Sequence, residues 1–349
     1  MFENKSIIIG VSGGIAAYKT AYLVSALSKT EADVNVIMTE NACEFISPLV
    51  FETLTGNKCY VDTFDRNFKF DVEHISLAKK ADIFMIAPAT ANVIAKIANG
   101  IADDMLTTTF LASKCKKIVS PAMNTAMFEN QITQDNIAKL KKYGIGVVEP
   151  QNGLLACGDV GAGKMPEPDF LFDVIEREIA REKDMLGKKV LVTAGATMES
   201  LDPVRFLTNH SSGKMGFAIA KEAMLRGAEV TAVKANTTAE IPNFVKIVEV
   251  SSAKDMFDAV TALSDQQDII VKAAAVADYT PESYVDSKIK KKDGDLSIPL
   301  KRTMDILKYL GENKKEGQFL CGFSMETDNM LENSKAKLSK KNADMIVAN

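Results

Sequence analysis

Ser6-Ile7-Ile8-Ile9-Gly10-Val11-Ser12-Gly13-Gly14-Ile15-Ala16-Ala17-Tyr18-Lys19 is the stretch on which the fold turns. An apolar run of strand length passes through a glycine turn straight into helix-forming residues. That is the opening of a parallel crossover unit rather than of a hairpin. Outward from it the alternation continues. Val34–Met38, Ile83–Ala87 and Ile118–Ser120 read as buried strands, with a short strand at Gly146–Val148. Helical periods at Ile15–Ser28 and Ile132–Lys142 lie between them. Asn152–Pro168 is rich in glycine and lacks a period, so it is expected as a long loop, where function often concentrates.

After a polar helix at Phe170–Met185 and then Gly187, the pattern restarts. Lys189–Thr193, Val230–Val233, Asp268–Val271, Phe319–Phe323 and Met345–Val347 are the expected strands. Ser212–Arg226, Ala253–Leu263, Ile306–Leu310 and Asn329–Leu338 are the expected helical segments. A chain of 349 residues exceeds what one core usually supports. The reading is therefore an α/β protein of two doubly wound three-layer domains, residues 1–187 and 188–349.

Composition narrows the function class. Hydrophobic residues at 46% and charged residues at 25% exclude fibrous and disordered chains. The balance of 42 basic and 46 acidic residues, a formal charge of -4, implies no nucleic-acid partner. No apolar run is long enough to suggest a membrane partner. Cys43, Cys59, Cys115, Cys157 and Cys321 are scattered without metal-site spacing, and no signal peptide is evident. A reduced, cytoplasmic location is expected.

The turn Gly10-Val11-Ser12-Gly13-Gly14 suits phosphate, because glycines permit close approach and a helix start offers free N–H groups. It lacks dinucleotide spacing, so a monophosphate such as that of FMN fits better; alone, it is equally a tight turn. Ala87-Pro88-Ala89-Thr90-Ala91-Asn92 ends a second strand in binding-loop composition, although Thr90 is also a plain helix cap. Asn124, in Pro121-Ala122-Met123-Asn124-Thr125-Ala126-Met127, either caps a helix or holds a carboxylate through its amide. His74 is a natural general base, and surface or core histidines are commoner. Cys157 sits in the glycine-rich loop, placed for proton donation if that loop closes over a site.

In this order and at these intervals, the segments resemble the bacterial bifunctional phosphopantothenoylcysteine decarboxylase/phosphopantothenate–cysteine ligase family over nearly the whole chain. The resemblance implies a flavodoxin-like flavoprotein domain joined to a Rossmann-like ligase domain. It implies FMN held by Gly10, Ser12, Gly13, Gly14, Thr39, Thr90 and Asn92, with Leu106, Thr107 and Thr108 nearby. It further implies His74 as base, Asn124 on the substrate carboxylate and Cys157 as proton donor. Direct loss of CO₂ from a cysteinyl group would leave an unstabilised carbanion. Oxidation at the thiol side first turns the sulfur into an electron sink. Phe128 and Lys164 stand where that family usually has Trp and Arg.

In the second half, Thr208-Asn209-His210-Ser211-Ser212-Gly213-Lys214 begins a helix with hydroxyls, free N–H groups and an ammonium, without Walker spacing. A capped helix with a solvated Lys214 is the plainer alternative. Lys272-Ala273-Ala274-Ala275 ends a strand in small residues that let a planar base approach, and Lys288–Lys292 is a basic run. The resemblance implies CTP bound by Ala273, Ala274, Asp278, Lys288, Met304, Asp305, Ile306, Leu307, Phe323, Lys337 and Lys341. It implies Asn209 assisting an acyl-cytidylate, Arg205 and Lys214 near phosphate groups, and Mg²⁺ as counter-charge through ligands not identified.

The implied partners are therefore small molecules: 4′-phosphopantothenate, cysteine, CTP and 4′-phosphopantothenoylcysteine. A homo-oligomer of trimeric decarboxylase units joined by ligase dimers, with sites at subunit interfaces, is implied as well. Ala196, Met198 and Met304 depart from the family pattern, which also continues past Asn349, so the C-terminal part of the ligase domain is expected to be missing. Two other readings stand beside this one. One is a monofunctional cysteine-decarboxylating flavoprotein with an inactive ligase half, and the other is a flavin-binding regulatory protein.

Overall fold

A computed structural model of the chain describes residues 2–63, 73–156, 158–290, 297–325 and 329–348. The chain divides into two compact units, Met1–Ala180 and Arg181–Asn349. In the first, β1 (Ser6–Val11) leads to α1 (Ala17–Leu27), β2 (Asp33–Met38), α2 (Glu40–Cys43), α3 (Pro48–Thr55) and β3 (Cys59–Tyr60). Then come α4 (Glu73–Lys80), β4 (Ile83–Ala89), α5 (Ala91–Ala98), α6 (Met105–Ala112) and β5 (Lys116–Pro121). The unit closes with α7 (Thr125–Glu129), α8 (Gln131–Lys142), β6 (Gly146–Val147), a hairpin of β7 (Gln151–Leu154) and β8 (Val160–Lys164), and α9 (Pro168–Ile179).

Its six-stranded parallel sheet has the order β3-β2-β1-β4-β5-β6. β1 is buried along its whole length, which is why an unbroken apolar run forms it. Without the two-residue strand β3, the order is that of flavodoxin-like sheets; with it, the order is the 3-2-1-4-5-6 of dinucleotide-binding folds. The strand order reverses between β1 and β4, so a crevice opens where their carboxyl ends part.

The second unit runs β9 (Lys189–Ala194), a hairpin of β10 (Met198–Ser200) and β11 (Phe206–Thr208), α10 (Lys214–Leu225), β12 (Glu229–Lys234) and β13 (Lys246–Glu249). It continues with α11 (Ala253–Ser264), β14 (Ile269–Lys272), the paired β15 (Tyr279–Pro281) and β16 (Leu300–Arg302), α12 (Ile306–Glu312), β17 (Phe319–Ser324), α13 (Met330–Lys340) and β18 (Met345–Ala348). The six-stranded sheet is ordered β13-β12-β9-β14-β17-β18, the Rossmann order, and its reversal falls between β9 and β14. Leu191, Ile270 and Leu320 enter a core on one face, with Val260 and Leu310. Val190, Val192, Val271 and Cys321 enter another on the opposite face, with Ala220 and Met224.

Three sequence expectations change. The boundary falls after Ala180 rather than Gly187, because Asp184 pairs with Arg226, and Met185 N–H donates to the Arg226 carbonyl, inside the second unit. The polar helix therefore ends at Ile179 instead of Met185. The glycine-rich stretch is a hairpin, not an irregular loop; glycines leave no side-chain alternation to read, and strand pairing holds it instead.

Gly195 lies at φ +88° just after β9, where an added Cβ would come within 2.5 Å of the Asn236 carbonyl oxygen. Gly195→Ala is expected to destabilise the second unit by roughly 2–4 kcal/mol, from left-handed strain and overlap together. Urea unfolding followed by circular dichroism checks it, and an unchanged transition would show that the backbone is not held there.

Candidate active sites

The crevice of the first sheet is pinned by one hydroxyl. Ser12 is fully buried; its Oγ donates to the Pro88 carbonyl at 2.7 Å and accepts from the Thr90 N–H at 3.0 Å. Strand ends that topology drives apart are thus tied at a fixed spacing. Above this tie lies a cavity of about 700 Å³ whose lining includes Gly13, Thr39, Asn41, Thr90, Asn92 and Lys96. Thr39 and Thr90 cap α2 and α5, so helix N-termini face the cavity. Gly13 is required there, because a Cβ would meet the Asn41 backbone at 2.9 Å.

Not every residue assigned to the cofactor lines this cavity. Gly10 lies within β1, where an added Cβ would strike the Leu106 side chain at 2.5 Å, and Leu106 is fully buried. Thr107 is also fully buried, bonded to Asp104 Oδ1 at 2.8 Å, and Thr108 is partly buried in α6. These residues support the crevice from below. Lys96, which the sequence reading missed, lines the cavity and pairs with Asp103 and Asp104. Its hydrogen bond to Asp103 raises its pKa.

A second cavity of about 320 Å³ is lined by Gly14, Lys19, Met123, Asn124, Leu154, Ala156 and Lys164, among others. Met123 belongs to both linings. Asn124 caps α7 through Oδ1, accepting from the Ala126 N–H, while its Nδ2 donates to Asp159 Oδ2 at 2.9 Å. Asp159 sits between the hairpin strands, so the amide tethers the hairpin over the cavity. His74, the second residue of α4, is partly buried and lines neither cavity. Cys157 lies outside the described residues. Burial pushes the Cys59 thiol up to about 12 and raises Cys43, Cys115 and Cys321 as well, so none of these four is an activated thiolate.

In the second unit, hydroxyls again stitch the reversal point. Thr193 Oγ1 accepts from the Ala274 N–H, and Thr197 Oγ1 from the Ala277 N–H, each at 3.0 Å. Beside them is a cavity of about 460 Å³ that gathers Ala274, Asp278, Met304, Asp305, Ile306, Leu307, Phe323, Lys337 and Lys341. Asp305 caps α12 and pairs with Lys341. Burial works against its ionisation, but Lys341 and the Lys308 N–H outweigh that and hold its carboxyl below the usual range.

Ala273 faces the opposite side of the sheet, packed in the core with Val271 and Cys321. Arg205, Asn209, Lys214 and Lys288 are exposed and outside this lining. Arg205 donates to Asp202 and to the Ile289 carbonyl, and the buried Asp202 accepts from the Ile289 N–H at 3.0 Å. The segment carrying Lys288 is thereby held at both the N–H and the carbonyl of Ile289. Asn209 Nδ2 reaches the Ala275 carbonyl at 3.4 Å.

Lys272 lines this cavity too, and the sequence reading did not select it. The signal was present, since a lysine ends an otherwise apolar strand. Burial pushes its pKa down to about 8; Lys337 and Lys341 add to that, and Asp305 and Asp278 oppose it. Among the described residues no group of three or more His, Cys, Asp or Glu is arranged to hold a metal ion. No helix among the described residues is long and apolar enough to cross a membrane.

Comparison with known proteins adds the following. The flavoprotein family model matches residues 1–180, and the DNA/pantothenate metabolism flavoprotein C-terminal domain model matches residues 185–349. The coenzyme A biosynthesis bifunctional protein CoaBC of Bacillus subtilis is 47% identical over 352 residues, covering 100% of this chain and 86% of that protein. Its counterpart in Borreliella burgdorferi is 42% identical over 351 residues, covering 100% of this chain and 90% of that protein. A crystal structure of the C-terminal domain of a CoaBC protein is 48% identical over 47% of this chain and 78% of that one, with a TM-score of 0.42.

Replacing Ser12 by Ala removes both side-chain bonds across the first crevice and leaves the Thr90 N–H without its acceptor, while the Ser12 N–H still donates to the Pro88 carbonyl at 3.3 Å. A loss of about 1–3 kcal/mol in unfolding free energy is expected for Ser12→Ala. Equilibrium denaturation measures it, and a loss within error would mean the strand ends are held by other means.

Proposed function

The chain belongs to the family of coenzyme A biosynthesis bifunctional proteins, and from that premise we propose how its two halves divide the work. It is an enzyme with a flavoprotein decarboxylase half and a ligase half. A monofunctional decarboxylase or a purely regulatory flavin binder is disfavoured, because relatives named as bifunctional match the whole chain. In the reading proposed here, the ligase half joins cysteine to 4′-phosphopantothenate at the expense of CTP. The decarboxylase half then converts 4′-phosphopantothenoylcysteine to 4′-phosphopantetheine.

For the decarboxylase half, the supporting observation is the pair of cavities that share Met123, one beside helix N-termini and the other beside Asn124. The flavin is assigned as FMN. The turn at Gly13, which leaves no room for a Cβ, and the caps Thr39 and Thr90 suit a phosphate group. When bound, it supplies the two-electron chemistry that makes loss of CO₂ from the cysteinyl group feasible. Asn124 orients the substrate carboxylate without adding charge, and the hairpin excludes water. Cys157 returns a proton to the product. His74 acts as base, in a site completed across a subunit interface of a homo-oligomer.

For the ligase half, the lining of the second unit's cavity supports a nucleotide. Arg302, Lys272, Lys337 and Lys341 stand against Asp278 and Asp305, a cationic excess suited to a triphosphate, beside apolar Ala274, Val276 and Leu307. A carboxylate is no acylating agent at neutral pH. Attack on the α-phosphorus of CTP, with release of pyrophosphate, makes an acyl-cytidylate that the amine of cysteine opens, releasing CMP. Asn209 is assigned to that intermediate, and Lys214 and the held segment of Lys288 to phosphate groups. Mg²⁺ is assigned as the counter-ion the nucleotide brings, with no protein ligand named.

The purified protein is expected to carry a yellow chromophore and to release pyrophosphate from CTP only when 4′-phosphopantothenate is present. Colourless folded protein that takes up no FMN contradicts the first half, and absent pyrophosphate contradicts the second. His74→Asn and Cys157→Ser are each expected to abolish decarboxylation. Co-expressed in one oligomer, they are expected to regain part of the activity, because a fraction of the shared sites then unites an intact imidazole with an intact thiol. Mixed oligomers that stay inactive count against a site shared between subunits.

A further inference from the structure

The cations of the ligase cavity are not equivalent. Lys341 is engaged with Asp305, and Lys337 Nζ donates to the Phe323 carbonyl at 3.1 Å and to Ser324 Oγ at 3.4 Å. Both ammonium groups are therefore partnered within the protein. Lys272 makes no hydrogen bond or ion pair among the described residues. Its stem leaves the last position of β14, beside the reversal point, and it enters the cavity between Asp278 and the caps and helices that carry Asp305, Lys337 and Lys341.

Placing an ammonium where no acceptor meets it carries a desolvation cost, and folding alone gives no reason to keep it there. A methionine of similar length would fill the same space at no such cost. The arrangement is understandable if the missing acceptor arrives with a ligand that is itself anionic and bears several oxygens. The four cations against two carboxylates around this cavity select a polyanion over a single carboxylate.

We propose that Lys272 is a phosphate-binding residue of the ligase half, its ammonium taking the β- or γ-phosphate of the bound nucleotide. The proposal rests on reading this cavity as the nucleotide site, and adds to it which side chain meets the distal phosphates. Lys341 in addition fixes Asp305 at the start of α12, and Lys337 holds the end of β17. Distal phosphates are absent from CMP, so Lys272 distinguishes the substrate nucleotide from the product nucleotide.

Calorimetric titration of the full chain with CTP, CMP and inorganic tripolyphosphate tests this, using wild type, Lys272→Met and Lys272→Arg. The methionine variant is expected to lose about thirtyfold or more in affinity for CTP and tripolyphosphate, as truncating one partner of a close, partly buried charge pair usually does. Its affinity for CMP should stay within about twofold, and the arginine variant should recover most of the CTP affinity. The empty methionine variant should also unfold at an equal or higher denaturant concentration than wild type. CTP affinity unchanged in Lys272→Met overturns the proposal. So does a parallel loss of CMP binding, which would mark a structural role. Wild type that binds neither CTP nor tripolyphosphate overturns the nucleotide reading itself, a separate outcome.

Discussion

A parallel sheet that sends its crossovers to both sides must let two adjacent strand ends diverge, and the molecule depends on keeping that divergence fixed. In each unit the restraint is a short hydroxyl side chain just past or at the end of the central strand. Ser12 reaches Pro88 and Thr90; Thr193 and Thr197 reach Ala274 and Ala277. A longer polar side chain would hold the ends apart at variable distance, whereas a buried hydroxyl has one rotatable hydrogen and almost no slack. The candidate sites lie beside these ties, so the geometry of each cavity is inherited from them.

Much of this was legible because burial on both faces turns strands into unbroken apolar runs. Ile7–Val11 and Val190–Val192 could hardly be anything else. The edge strands were not legible: Cys59–Tyr60 is only two residues long, and Lys246–Glu249 is short and partly exposed, so its composition matches that of loops. The absence of Cys59–Tyr60 from the sequence reading is what separates a flavodoxin-like from a dinucleotide-type order in the first sheet. The glycine-rich hairpin was hidden for the opposite reason, since residues without side chains carry no alternation.

Sites divide in the same way. Thr90, Asn92 and Asn124 were visible because small and polar residues at the ends of apolar strands are conspicuous. Gly10 and Leu106 were visible as well, but the structure uses them against each other: the missing side chain of one is the space that the other fills. Lys272 carried a signal, a lysine closing an apolar strand, but it was passed over because a lysine at the end of a strand ordinarily reaches solvent. Only residues much later in the chain, Asp305, Lys337 and Lys341, make that position part of a cavity lining.

The bond between Asn124 and Asp159 has a consequence for how the first site fills. In the proposed reaction that amide must grip the carboxylate of the incoming molecule, yet it already grips one belonging to the hairpin. A tethered group competes at an effective concentration that a free one rarely reaches. Entry is therefore an exchange, and the displaced aspartate and the newcomer, both anionic, repel each other as it happens. The hairpin carries a counterfeit of the substrate, and the genuine article must outbid it.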